Sequence, residues 1–223
     1  MGPLKLWPTA EAMMQRWDIN PQPLLPLTFL VNCNKSPVMA TSLGTEYLQT
    51  AIKRLRYYKS LGEKTFDQLS DADFHFTPNN TCNSIAVIIQ HVSGNMLSRW
   101  TNFLTEDGEK PWRQRDDEFE VHHYSKQQLV ELWQKGWDCF LNALTPLTEN
   151  DLLKTVYIRE EPLSVVDAIN RQLAHYPYHI GQILYIGKTI KDTSWQSLSI
   201  EKGKSEAYNQ SDGIKDPANS NRQ

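Results

Sequence analysis

Three histidines stand out because imidazole is the side chain most often recruited to hold a metal ion or move a proton near neutral pH. His175 and His179 are four residues apart in the run HYPYH. At about 100° per residue, that spacing sets them about 40° apart on one helix face, close enough to share an ion. His91 lies in a separate apolar segment and is the natural third ligand, because a lone imidazole there otherwise needs a hydrogen-bond partner. Three neutral imidazoles leave an open coordination position, the arrangement of a catalytic site. That position lowers the pKa of a bound water or holds a thiol as its thiolate. An H-x3-H pair is weak on its own, and its competing reading is two satisfied core or surface histidines.

Other residues are candidates around that centre. Asn95 is one turn after His91 and Gln182 three residues after His179, so either amide could orient a ligand. Arg99, Lys110, Arg113 and Arg115 could bind an anionic substrate, or could pair with Asp107, Asp116, Asp117 and Glu118 in a solvated loop. Trp100 and Trp112 could wall a pocket. His122 and His123, beside Glu118 and Glu120, form at most a weak second site, and His75 has no partner legible in the sequence. Cys33, Cys82 and Cys139 are odd in number and far apart, which excludes a disulfide framework or thiolate zinc site; Cys82 and Cys139 read as small buried apolar residues. No phosphate-binding Gly loop, GxSxG elbow or paired-carboxylate motif occurs.

The elements that must position these residues are helical. Tyr47, Leu48, Ala51, Ile52, Leu55, Tyr58 and Leu61 recur at three and four residues and predict a long amphipathic helix from Ser42. Asn83 is placed to cap a second helix with Ile85, Ile88, Ile89, Val92 and Met96 as its stripe. Glu106 to Tyr124 is polar, contains Gly108 and Pro111, and reads as a long loop. Ser125 and Gln128 make a capping box before a third helix, in which Trp133, Trp137 and Phe140 are core. Thr155 to Ile158 reads as one isolated extended segment. Ser164 and Asp167 then open a fourth helix carrying Val165, Ala168, Ile169, Leu173, Tyr176, Ile180, Ile183 and Leu184. Pro177 falls inside it, removes one hydrogen bond and clashes with the carbonyl of Leu173, so a kink is expected. The fold class expected is all-α, an antiparallel four-helix bundle with a long loop between helices 2 and 3; such bundles build metal sites from facing helices.

Six of the twelve prolines fall in residues 1–38, which read as a loosely attached extension, and the in-frame Met39 suggests a start for the functional chain. The bundle and a C-terminal segment are expected over 42–209, with a disordered tail over 210–223. A net charge of -3 with no basic block disfavours nucleic acid as a partner. No apolar run reaches the roughly 18 residues of a membrane span, and the start lacks the features of a signal peptide, so the expected location is cytoplasmic.

His91, the pair His175 and His179, and the run YHIGQI from Tyr178 resemble the DinB-like (DinB/YfiT) superfamily of metal-binding four-helix bundles. HVSGNMLSRW from His91, DGEKPWRQRD from Asp107 and SWQSLSI from Ser194 further resemble one uncharacterised branch, classed as a domain of unknown function. The resemblance implies a divalent metal, commonly zinc or nickel, on His91, His175 and His179, often in homodimers. It also implies either transfer of a low-molecular-weight thiol or hydrolysis of a small molecule. The alternative is a non-catalytic metal-binding, stress-response or dimerisation module. The proline within H-x3-H departs from the plainer helix of that superfamily.

Overall fold

The computed structural model describes residues 41–211, 213 and 216–221. The Pro-rich segment over 1–38 and Met39 lie outside the described residues, as do parts of the tail. The chain is mostly helical: α1 (Leu43–Phe66), α2 (Ile85–Trp100), α3 (Lys126–Leu144), α4 (Val165–Lys191) and the short α5 (Ser205–Gln210), with β1 (Thr155–Ile158) and β2 (Glu161–Ser164). None of the described helices is long and apolar enough to cross a membrane.

Each long helix begins on a serine whose hydroxyl accepts a backbone N–H that the first turn leaves without a partner. Ser42 takes that of Thr45, Ser125 that of Gln128 and Ser164 that of Asp167. In α2 the cap is Ser84, accepting from Val87, and not the expected Asn83. The capping box at Ser125 is complete, since Gln128 Oε1 accepts from the Ser125 N–H.

The apolar stripes meet as the spacing predicts. α2 packs on α3, α1 on α4, and α2 also contacts α4 while α1 contacts α3. Trp133, Trp137 and Phe140 are fully buried among Leu55, Ile89 and Tyr176. Burying each such side chain contributes about 1.5–3 kcal/mol or more, offset by lost chain entropy. α2 is buried nearly all round, because the turn at Ala72–His75 and the turn at Asp117–Phe119 cover the sides that α3 and α4 leave.

Two further expectations are corrected. The extended segment at Thr155 is not isolated: β1 pairs antiparallel with β2, from Thr155 opposite Ser164 to Ile158 opposite Glu161. Its two-residue turn puts Arg159 and Glu160 at φ of 57° and 65°, conformations that normally call for Asn or Gly. The Asp107 carboxylate accepts the N–H groups of both turn residues, at 2.8 and 2.7 Å, and so holds a turn the local sequence disfavours. Cys82 is exposed and Cys139 half-buried, so neither is the fully buried residue expected. Among the described residues beyond α5, Asp216 pairs with Arg54 of α1 at 2.6 Å and Ala218 is buried.

Helix α4 runs unbroken through Pro177. The proline cannot donate to the carbonyl of Leu173, yet the apolar face from Val165 to Ile186 stays buried on both sides of it, and that packing carries the helix across the lost bond.

Candidate metal centre

His91 projects from α2, and His175 and His179 from consecutive turns of α4. One ring nitrogen from each falls within 4.8 Å of the others. The ring centroids are 5.5 Å (His91 to His175), 5.0 Å (His91 to His179) and 4.7 Å (His175 to His179) apart. His91 is buried and the α4 pair half-buried, so the cluster lies at the edge of the core.

The Nδ1 atom of every ring is engaged by a fixed acceptor. His91 Nδ1 lies 3.0 Å from Glu118 Oε2, His179 Nδ1 2.8 Å from Gln182 Oε1, and His175 Nδ1 3.4 Å from Gln172 Oε1. A carboxylate or amide oxygen accepts only from a protonated nitrogen, so each contact holds the Nδ1–H tautomer and leaves Nε2 as a bare lone pair. His175 Nε2 and His179 Nε2 then face each other at 3.1 Å. Two such nitrogens are held at that distance by something shared between them, a metal ion or a proton. Nitrogens about 2.0–2.1 Å from a tetrahedral ion sit about 3.3 Å apart, so the α4 pair is already spaced as ligands, and the donor set fits a divalent ion.

The local charges agree. Burial pushes His175 down to about 4, helped by His179, His91 and the Arg171 and Arg113 cations. Burial also lowers His179, against the opposing bond to Gln182. Both rings are therefore neutral at pH 7, the form that ligates. For stability the sign is that of a base with a depressed folded pKa. The unfolded chain takes up a proton below about 6.5 while folded His175 does not until about 4. Chelator-stripped protein is expected to lose thermal stability as the pH falls through that window, and His175→Ala to flatten the loss. Melting curves between pH 7.5 and about 4.5, in which both proteins shift alike, would remove His175 from the account.

Glu118 was not legible in the sequence as a partner of His91. It reaches His91 from the loop turn at Asp117–Phe119, with its side chain only 10% exposed. Burial opposes its ionisation, but bonds from His91 and Arg113 outweigh that and keep its carboxyl below the ordinary range. Arg113 grips both oxygens, Nε to Oε1 at 2.7 Å and Nη2 to Oε2 at 2.9 Å, and Phe119 lies against the His91 ring. A Cβ on Gly94 would collide with the Glu118 carboxylate, so any other residue at this position of α2 displaces the group that holds His91. Glu118→Gln is expected to weaken zinc affinity about 10–100-fold, and Gly94→Ala to act in the same direction. Competition with a chromophoric chelator measures both, and unchanged affinity in each would show that Glu118 does not orient His91.

The remaining candidates divide. Gln182 does hold His179, and Gln172, buried and three residues before His175, is its unanticipated counterpart. Asn95 instead accepts from the Tyr176 hydroxyl, which in turn accepts from Trp100 Nε1, so these three form a core network away from the ligand nitrogens. Arg99 is buried and paired with Glu109 at 3.1 Å, and Lys110 with Glu106 at 2.6 Å, so neither is free for an anionic substrate. Trp112 is 55% exposed, and Arg115 is an exposed partner of Asp116. His122 contacts Asp117, while Glu118, its expected co-ligand, is committed to His91. His75 finds a partner in the Tyr124 carbonyl at 2.8 Å.

No curated protein and no solved structure matches the chain. Residues 42–204, which include every helix that supplies the three histidines together with Gln172, Gln182 and Glu118, match the model of a family described as Protein of unknown function (DUF1572), and the chain belongs to that family.

Proposed function

We propose that the chain is a DinB-like four-helix bundle, with α1 parallel to α4 and α2 parallel to α3 rather than antiparallel throughout, that holds one divalent ion, zinc or nickel, on the Nε2 atoms of His91, His175 and His179. In this reading it acts in the cytoplasm, as a homodimer, on a small molecule, by thiol transfer or hydrolysis. The observation that carries the reading is the pair of Nε2 atoms facing at 3.1 Å while every Nδ1 is engaged by Glu118, Gln172 or Gln182. Three orienting partners around three imidazoles are what a ligand set needs and what incidental histidines have no reason to share.

When bound, the ion supplies Lewis acidity, which polarises a carbonyl or favours a thiol as its thiolate. The chain's own residues do the rest. Gln172 and Gln182 fix the tautomers on α4, and Glu118 fixes that of His91. Arg113 neutralises Glu118, so the net charge of the site is that of the ion alone. Phe119 shields His91 from water on the loop side.

Metal analysis of tag-free protein purified without chelator tests the reading. About one zinc or nickel per chain is expected, by analogy with single three-histidine sites. Folded protein that carries neither, and takes up neither when titrated, would leave a helical interaction module with no metal chemistry.

A further inference from the structure

The connection from α2 to α3 is fastened at both ends. Ser98 Oγ donates to the Gly108 carbonyl at 2.7 Å, and the Gly108 N–H donates to that of Tyr157 at 2.8 Å. Glu109 is gripped by both Arg99 and Arg159. At the far end His75 Nε2 donates to the Tyr124 carbonyl at 2.8 Å, and the Lys126 N–H to Asp71 at 2.6 Å. Between these anchors, residues 111–123 bond to their own neighbours. The N–H of Arg113 donates to the Lys110 carbonyl, and those of Glu118, Phe119 and Glu120 to the carbonyls of Arg115, Asp116 and Asp117. Arg115 pairs with Asp116 and lies over the Phe119 ring, and His122 contacts Asp117. Among the described residues, one polar contact ties this stretch to the helices, from Glu118 Oε2 to His91 Nδ1 at 3.0 Å. The Phe119 ring, its centroid 4.8 Å from that of His91, rests on the same residue. The far half of the loop is therefore buttoned to the bundle through a residue of the metal centre.

The strength of that button depends on the other side of the imidazole. A cation on Nε2 draws electron density from the ring, so the Nδ1–H becomes a stronger donor and the carboxylate holds it more tightly. Linkage makes the effect mutual: whatever the ion adds to this bond, the closed loop returns to the ion's affinity. Arg113 decides how well Glu118 can answer. Its side chain is 2% exposed, and its Nε and Nη2 hold the two carboxylate oxygens at 2.7 and 2.9 Å, which fixes the plane of the group that meets His91. A planar fork does this fully, and a point charge only in part.

We infer that residues 111–123 form a strap that closes over His91 when the ion is bound and loosens when it leaves, with Arg113 as the positioning residue that acts on the centre through Glu118. This rests on the metal reading above and adds to it a segment that stabilises the occupied site and registers its occupancy.

Hydrogen exchange of the full-length protein, followed by mass spectrometry with and without zinc, tests the strap. The amides of Arg113, Glu118, Phe119 and Glu120 are the readouts, since each is hydrogen-bonded within it. Zinc is expected to slow exchange of peptides over 111–123 by about tenfold, and to leave those over 101–110 unchanged. Arg113→Ala is expected to abolish that protection, to weaken zinc affinity about 5–10-fold, and to shift the visible absorption of cobalt-substituted protein. Arg113→Lys restores part of each. Exchange over α3 reports whether the variants are folded; should Arg113→Ala loosen α3 as well, the parent alone decides the strap and Arg113→Lys the positioning role. A parent that takes up zinc without slower exchange over 111–123 overturns the strap. Parental zinc affinity and cobalt spectrum in the folded variants overturn the role of Arg113. A parent that takes up neither zinc nor nickel overturns the metal reading and the strap with it, a result distinct from uptake without protection.

Discussion

Replacing His175 and His179 together by alanine is expected to abolish stoichiometric metal binding while leaving the helical fold intact. Loss of two of three ligands leaves His91 alone, and a single imidazole does not retain zinc or nickel against solvent. The fold survives because both side chains are half-buried at the rim, and their strongest mutual contact is two Nε2 atoms facing at 3.1 Å. Without an ion that contact is at most one half-exposed hydrogen bond, so metal-free variant should be about as stable as metal-free parent. The difference appears when metal is added. An ion that binds only the folded state stabilises it by RT ln(1 + [L]/Kd), about 4 kcal/mol at a thousandfold excess over Kd. The parent should gain that in thermal melts with zinc, and the variant nothing. A variant that still melts higher with zinc would place the binding site elsewhere.

The sequence made the carriers of the site legible more readily than its orientation. Periods of three and four residues locate all four long helices, because burial of one face is a local pattern written every turn. The H-x3-H pair is local too, and α4 keeps it on one face despite Pro177. Gln182 was legible for the same reason, and Gln172 could have been, since it stands to His175 as the mirror of Gln182 to His179. Glu118 could not. It is 27 residues from His91, in a loop with no period, among acidic neighbours of which only one turns inward. Asn95 and Arg99 each kept two readings in the sequence by a similar limit: spacing puts them on the helix that carries His91, but only packing decides that one meets Tyr176 and the other Glu109. The β-hairpin was hidden because its turn lacks Gly or Asn and relies on Asp107, more than fifty residues earlier, for the missing bonds.

The largest stability effect is expected at Trp133, where α3 is pinned to α1. The indole is fully buried, edge-on to Phe66 at 5.1 Å and tilted against Trp137 at 5.5 Å. It lies on the backbone of Gly62, where a Cβ would come within 2.7 Å of Cζ2 and 2.9 Å of Cη2. Trp133→Ala should cost about 3–5 kcal/mol, read as a lowered urea midpoint, because the cavity sits between two helices that cannot close on it freely. The indole Nε1 has no hydrogen-bond partner among the described residues, so the ring contributes through packing alone. Trp133→Phe removes that unsatisfied N–H together with the two ring atoms that press on Gly62, and its cost should be much smaller, about 1 kcal/mol. Gly62→Ala in the parent should cost about 1–3 kcal/mol, since the new methyl drives the indole off its position. Combined with Trp133→Phe, the same alanine enters space the indole has vacated, so the double variant should be more stable than the two single changes sum to. Strict additivity would mean that Gly62 is needed for some reason other than the ring above it. The rings packed on Trp133 are Phe66 and Trp137 and not the ligand histidines, so zinc affinity should stay unchanged in the Phe variant even as the urea midpoint moves.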